Sequence, residues 1–371
     1  MEKIFRARPF FPGAIVIGGC IILICLQGCS TKWPSLSATR DIPDPSVDHC
    51  ARGMNTREGF RDDAGEGAGE DDLRLGLIQH PNNQHCRFAY GRTLTSVGLV
   101  TDARAELSRV IAKADSDQLK EDASHFLLTR LPPVDIPEPA QRLNNKGWGF
   151  LFRQDNPDRA IPLFEEAIGL EPRFTWAWSN LASAYIDKKE YAKAIESARR
   201  AIGISPSYRN GYRSLARALG ESEQFLESAA IWERVAKLDK TDPDPERQIA
   251  WMYMNASPVD NIENLKIAKS HLDRALVLEP DDQWTQKNIA LMEATFLFTE
   301  KDWIGAETFA KKALEIDPNF NEAIRIMGTI TDELGRSDEA INLYEKVLNV
   351  NPNDSWIRAR RDQLKAKMDA R

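Results

Sequence analysis

A residue that closes a helix recurs at nearly constant spacing through the second half of the chain, and this period constrains the fold more than any other feature. The positions are Pro172, Pro206, Lys240, Pro280, Pro318 and Pro352. The steps between them are 34, 34, 40, 38 and 34 residues, with Lys240 standing where a proline would complete the series. Because proline cannot continue a helix, each one ends a unit. A period of this length is typical of arrays in which each unit packs on the next.

Upstream of each closing position, a small, a large and a second small residue follow one another at spacings of four and three. These spacings place the three side chains on one face of a helix. The small residues let two helices approach, and the large one fills the space between them. In two of the six units alanine also holds the large position. The six sets are Ala160/Phe164/Ala167, Ala194/Ala198/Ala201, Ser228/Trp232/Val235, Ala268/Leu272/Ala275, Ala306/Ala310/Ala313 and Ala340/Tyr344/Val347.

A second pattern lies before the first and predicts a partner helix in each unit. It reads Trp178-x2-Leu181-Ala182-x2-Tyr185, Tyr212-x2-Leu215-Ala216-x2-Leu219 and Ile324-x2-Met327-Gly328-x2-Thr331. Together the two patterns resemble the tetratricopeptide repeat (TPR), a helix–turn–helix family whose units stack into a superhelix. The resemblance implies an all-α solenoid of about six repeats over residues 141–352. Two units are longer, by six residues in Ser257–Asn264 and four in Ala294–Lys301; we expect both insertions between helices.

The resemblance is looser upstream, where residues 84–117 fit the template only in part and residues 118–131 predict one further helix. A flexible tether, poor in large apolar residues, precedes this part, and a proline-rich linker follows it. A polar helix caps the end of the array. We therefore divide the chain into a signal peptide (1–28), a tether (29–70), a degenerate TPR-like helical module (71–131), a linker (132–139), the array (140–352) and a capping helix (353–371).

The N-terminus indicates export. Three cationic residues precede an apolar run from Ala14 to Leu26, about the length of a signal-peptide core. The run ends in Leu26-Gln27-Gly28-Cys29, which resembles a bacterial lipobox, although Gln27 is larger than the residue usual there. The resemblance implies cleavage before Cys29 and its lipidation, which anchors the chain to a membrane. Ser30 in place of aspartate implies the outer membrane, facing the periplasm, rather than the inner membrane. An uncleaved anchor and a plain cleaved signal remain open.

Two cysteines remain beyond the lipobox, Cys50 and Cys86. In an exported chain such a pair predicts a disulfide. Each follows a histidine, His49 and His85, so a metal site is an alternative, although metal-ligand pairs usually have wider spacing. The third alternative is that both cysteines are free thiols.

Charge and motifs exclude several function classes. The chain carries −7 and residues 1–28 contribute +2, so the remainder carries −9, which disfavours nucleic-acid binding. The sequence contains no motif of a zinc hydrolase, serine hydrolase, P-loop or dinucleotide site. We therefore predict no catalytic residue, no metal and no cofactor.

In the TPR family the first helices of successive units line a concave groove, and a fixed set of helical positions faces it. These positions are rich in cations and aromatic residues here, which predicts a protein partner with an acidic or extended segment. An equal alternative is that some of these residues are solvated or packed between repeats. The groove residues are Arg142, Asn145, Lys146, Trp176, Asn180, Arg213, Arg217, Arg247, Gln248, Trp251, Trp284, Lys287, Asn288 and Arg325.

The resemblance to TPR lipoproteins implies an envelope adaptor that helps assemble a pilus, a secretion channel or another complex. The alternative is a holder subunit that recruits a cell-wall or protein-processing enzyme. The terminal faces of such arrays often pair, so oligomerisation is open.

Overall fold

The computed structural model describes residues 48–55, 69–96, 98–256 and 261–369. The predicted signal peptide, Cys29 and most of the predicted tether lie outside the described residues. Within them every regular element is helical. None of these helices is both long and apolar enough to cross a membrane.

Six helix pairs form the array, in agreement with the predicted repeat. They are α6 (Glu138–Trp148) with α7 (Pro157–Leu170), α8 (Thr175–Asp187) with α9 (Tyr191–Ile204), α10 (Arg209–Glu221) with α11 (Phe225–Leu238), α12 (Asp244–Ala256) with α13 (Ile262–Leu278), α14 (Gln283–Thr299) with α15 (Trp303–Ile316), and α16 (Asn321–Glu333) with α17 (Ser337–Val350). A π-helix, Gly149–Arg153, extends α6.

The small–large–small face forms the core of every pair. Phe164, Trp232 and Tyr344 at the large position are each at most 1% exposed. Ala198 and Ala310, which hold the same position in two other units, are also fully buried. The deviation from the pattern in those two units therefore changes side-chain size and leaves the packing face unchanged.

In one of the two long units the additional residues lie inside a helix, and not between helices as expected. Helix α14 has 17 residues where α8, α10 and α12 have 13. Four residues are close to one helical turn, so the extension leaves the packed faces in register. In the other long unit, α13 also reaches 17 residues, and residues 257–260 before it are outside the described part.

The N-terminal module consists of α1 (His49–Asn55), α2 (Glu70–Gln79), α3 (Gln84–Ser96), α4 (Val100–Lys113) and α5 (Asp117–Arg130). Helix α1 lies in the segment predicted to be a flexible tether. A disulfide between Cys50 and Cys86 joins α1 to α3, with a Cα–Cα distance of 5.5 Å. Both sulfurs are used in this bond, so neither is a thiolate ligand for a metal.

The predicted linker belongs to the core. Leu131 and Ile136 are 1% and 3% exposed, within one buried cluster that runs from Leu94 to Ala177. The module and the first two repeats thus share one apolar core. At the other end α18 (Ser355–Asp369) buries Ile357 and Leu364 against α16 and α17, as a capping helix would.

Candidate functional site

The first helices of the repeats share a face that does not pack on the second helices, and we call it the inner face. Four of its predicted groove cations form a ladder of ion pairs with the turn that leads into the next unit. Arg213 Nη2 lies 3.0 Å from Asp244 Oδ2, Arg247 Nη1 lies 2.7 Å from Glu279 Oε2, Lys287 Nζ lies 2.6 Å from Asp317 Oδ2 and Arg325 Nη1 lies 3.2 Å from Asp354 Oδ2. The chain therefore neutralises these cations itself, which removes the main reason for expecting an acidic partner.

The ladder is densest at the turn where Lys240 replaces the repeat-closing proline. Arg209, only 2% exposed, bridges Asp239 and Asp242 at 2.5 and 3.0 Å. Burial, with Arg130 and Arg213 nearby, lowers the pKa of Arg209 to about 10. Burial opposes the charge of Asp239, but Arg209 and the hydrogen bonds of Thr241 outweigh it and hold the pKa of Asp239 below its ordinary value.

Helix α5 of the N-terminal module lies against the N-terminal ends of α8 and α10. The indole Nε1 of Trp176 donates to the carbonyl oxygen of Arg130 at 2.7 Å. The Arg130 side chain reaches Asp239 at 3.0 Å, and His125 Nε2 lies 2.5 Å from the carbonyl oxygen of Leu238. Trp176, predicted as a groove anchor, is therefore engaged within the chain.

The first repeat has a different register from the predicted one. Gly147 packs on Phe164 in the first repeat as Gly328 packs on Tyr344 in the sixth. The two residues are 17 positions apart in the first repeat and 16 positions apart in the sixth. The π-helix supplies the additional residue. Because one residue rotates a helix by about 100°, the prediction for this unit is shifted by one position. Asn144, and not Asn145, contacts the next repeat, where its Oδ1 accepts from Asn180 Nδ2 at 2.9 Å.

Arg142 and Lys146 are displaced from the inner face by the same shift. Both are exposed, and they line a shallow groove with Leu143 and with Glu166 and Leu170 of α7. Asn145 lies beside Gly98, in the turn between α3 and α4. None of the three faces a ligand groove along the first helices, so we correct their assignment.

Several other predicted residues pack between repeats. Asn288 and Arg325 are 4% and 5% exposed, too buried to receive a partner. Trp284 is half-buried in the core around α13 and α14. Trp251 is half-buried against the ring edge of Phe225, at 5.9 Å between centroids.

The C-terminal halves of the first helices keep an open strip, which we call the open floor. Its members are Trp148 and Phe152 of the first repeat, Asp187 at the end of α8, and Arg217 and Glu221 of α10; all five are exposed. Asp187, Arg217 and Glu221 form no ion pair within the described residues. The Arg217 side chain reaches solvent, but the surrounding chain partly desolvates its guanidinium and lowers its pKa, and the charges of Asp187, Glu221 and Asp244 raise it in part. Of the predicted groove cations, only Arg217 belongs to this strip.

Sequence reasoning missed Trp148, Phe152, Asp187, Glu221 and Arg209. The one-residue π-helical insertion hid the first two. Asp187 and Glu221 are the last residues of α8 and α10, beyond the helical positions that the prediction used.

Comparison with known families identifies the repeat. A family model described as "Tetratricopeptide repeat" matches residues 151–209, and a second model of the same description matches residues 326–354. The chain carries TPR repeats. Proteins built from TPR repeats generally mediate protein–protein interactions and are typically not catalytic.

The relatives are themselves TPR proteins. The small glutamine-rich tetratricopeptide repeat-containing protein 2 of Saccharomyces cerevisiae is 29% identical over 134 residues, which cover 33% of this chain and 37% of that protein. The Hsp70-Hsp90 organizing protein 3 of Arabidopsis thaliana is 18% identical over 286 residues, 75% of this chain and 50% of that one. The chain thus spans at most half the length of the curated relatives it matches.

Among solved structures, that of PilF from Pseudomonas aeruginosa aligns at 14% identity with a TM-score of 0.48, over 61% of this chain and 98% of that one. A likeness at this level carries no argument about function.

Proposed function

We propose that the chain is a protein-binding scaffold whose partner lies on the open floor. The observation that carries this proposal is an exposed tryptophan, Trp148 at 39%, beside the exposed Phe152 at 48%, on the face that TPR arrays leave unpacked. A few residues supply most of the binding energy at protein interfaces, and tryptophan is enriched among them. Aromatic side chains suit this role because each buries a large apolar area.

Photo-crosslinking in intact cells that express the full chain tests this proposal. A benzophenone amino acid replaces Phe152 or Arg217 on the open floor, and Leu226 or Val277 on second helices serves as the control. Leu226 and Val277 are 56% and 81% exposed, so the controls are at least as accessible. We expect a discrete crosslinked protein from the first pair alone. Equal labelling from all four positions, or none from the inner face, contradicts the proposal.

We further propose that the scaffold is exported and lipid-anchored through Cys29 to the outer membrane, facing the periplasm. The lipobox-like segment supports this, and so does the buried Cys50–Cys86 disulfide, since such bonds persist in oxidising compartments.

Labelled palmitate and membrane fractionation test the anchor. The Cys29→Ser chain is expected to lose the label and to leave the membrane fraction, whereas the Cys25→Ser chain keeps both. Retention of label by Cys29→Ser would show that the anchor lies elsewhere.

In this compartment we propose an adaptor role in the assembly of a pilus, secretion or other envelope complex. The identity of the crosslinked partner decides between this role and that of a holder subunit. A structural subunit of an envelope machine supports the adaptor, and a cell-wall or protein-processing enzyme supports the holder.

A further inference from the structure

We propose that the open floor binds a basic segment that carries an aromatic or large apolar side chain. The proposal rests on the proposed scaffold function and names the chemistry of the partner. It replaces the acidic partner that the cation-rich helix positions predicted.

The aromatic end of the floor is built by the π-helix. The rings of Trp148 and Phe152 lie 5.3 Å apart at 41°, and the Arg153 guanidinium lies 5.5 Å from the Trp148 ring centre. Single-turn π-helical insertions occur frequently at functional sites because they re-aim side chains. Here the insertion leaves Trp148 and Phe152 exposed to solvent, whereas the neighbouring Leu151 is only 3% exposed. A partner side chain placed on this pair would cover apolar area that the chain leaves open.

The centre of the floor is acidic. Asp187 interacts with Asp155 and Glu221, two further carboxylates, and with one cation, Arg217. Partial desolvation by the surrounding chain and these two like charges raise the pKa of Asp187, while Arg217 offsets this only in part. No ion pair within the described residues satisfies Asp155, Asp187 or Glu221. A lysine or arginine from a partner would supply the missing charge, whereas an acidic segment would add to the repulsion.

A similar combination of contacts occurs within the chain, where α5 meets the array. Helix α5 brings Phe126 and Arg130 together, with the guanidinium 5.9 Å from the ring centre. Arg130 then pairs with Asp239, and Trp176 donates to its carbonyl oxygen. Within the chain, a cation beside an aromatic ring thus meets a carboxylate in the turn after α11 and a tryptophan on α8, and the open floor offers a carboxylate and a tryptophan to a segment from a partner.

Selection from a library of random 12-residue peptides displayed on phage tests the proposal on the full chain. We expect enriched peptides with net positive charge and at least one aromatic residue. Binding of the enriched peptides is then measured by fluorescence anisotropy at two salt concentrations. We expect affinity to fall with salt, because exposed charge pairs are screened.

Variants locate the site. We expect Trp148→Ala and the double change Asp187→Asn with Glu221→Gln each to weaken binding by about tenfold, a typical effect for an interface anchor. Leu226→Ala and Glu227→Gln on α11 are the matched controls, since both residues are exposed and lie on a second helix; these chains should bind as the parent does. Because all the altered side chains are exposed, far-ultraviolet circular dichroism should show the parent fold in every variant.

The outcomes separate this proposal from the scaffold function. Enrichment of acidic peptides, or of basic ones whose binding is unaffected by both floor variants, overturns the basic-partner proposal and leaves the scaffold intact. Failure to enrich any peptide, together with no crosslink from the inner face, overturns both.

Discussion

Asp187 is a residue whose charge the fold disfavours, and this makes a pH-dependent prediction. Its pKa is raised by partial desolvation within the surrounding chain and by neighbouring carboxylates. It also lies in the last turn of α8, where a negative charge opposes the helix dipole. A carboxyl with a raised folded-state pKa destabilises the fold at pH values above that pKa. We therefore expect Asp187→Asn to increase the free energy of unfolding in urea at pH 7. The gain should shrink as the pH falls through the raised pKa, and a less stable variant at neutral pH contradicts the account.

Arg209 differs from Asp187 in forming two ion pairs, because it is buried between two carboxylates. Breaking a buried ion pair costs roughly 3 kcal/mol, and without Arg209 both Asp239 and Asp242 lose the nearer of their two cations. We expect Arg209→Ala to lower the free energy of unfolding by about this amount. Arg200→Ala is the control: Arg200 faces Glu196 at 3.9 Å with both side chains exposed, and such a pair is worth less than about 1 kcal/mol. Equal losses in the two variants would show that burial is not the cause.

The sequence predicted which residues lie at each repeat position, but not which of them form ion pairs within the chain. The ladder cations have partners about one repeat further along the chain, so no local pattern displays the pair. The sequence nonetheless contains a signal for these ion pairs. At the second repeat Ser179 stands where the four later units have a cation, and Ser205 and Tyr208 stand where each of those units has at least one acid. Reading cations and acids together across the period would have found the ladder.

Among the contacts between helices, the attachment of α5 to the array is the one that a substitution can test most directly. Trp176→Phe keeps the ring and removes the indole donor to Arg130. One hydrogen bond contributes about 0.5–1.5 kcal/mol net, so the amides of α5 should exchange with deuterium roughly two- to tenfold faster. Trp178→Phe is a matched control because its indole donates at 2.9 Å to Pro172, within the second repeat's own entry turn. Unchanged exchange in α5 would mean that this bond does not hold the helix.

Helix positions followed from the period, and the exceptions have physical causes. Proline spacing fixes the ends of the second helices but not a single additional residue inside a first helix. The π-helix of the first repeat therefore escaped detection, and with it the true orientation of Trp148. The four additional residues of α14 lengthened the helix because they amount to nearly one turn. Helix α1 lies in a stretch of low apolar content, and the disulfide to Cys86 fixes it to α3.

At the scale of the whole molecule, stability should be local, because each unit of a repeat array contacts only its neighbours. Leu131 is 1% exposed in the cluster that joins the N-terminal module to the first two repeats, whereas Leu364 is 3% exposed in the cluster of α16 to α18. Each leucine-to-alanine change should cost about 2–5 kcal/mol where it is made. We expect Leu131→Ala to speed amide exchange from α3 to α8 and to leave α16–α18 unchanged, with the reverse for Leu364→Ala. If amide exchange became uniformly faster along the chain in either variant, the array would unfold as one cooperative body. The N-terminal module would then be coupled to the last repeat as strongly as to the first.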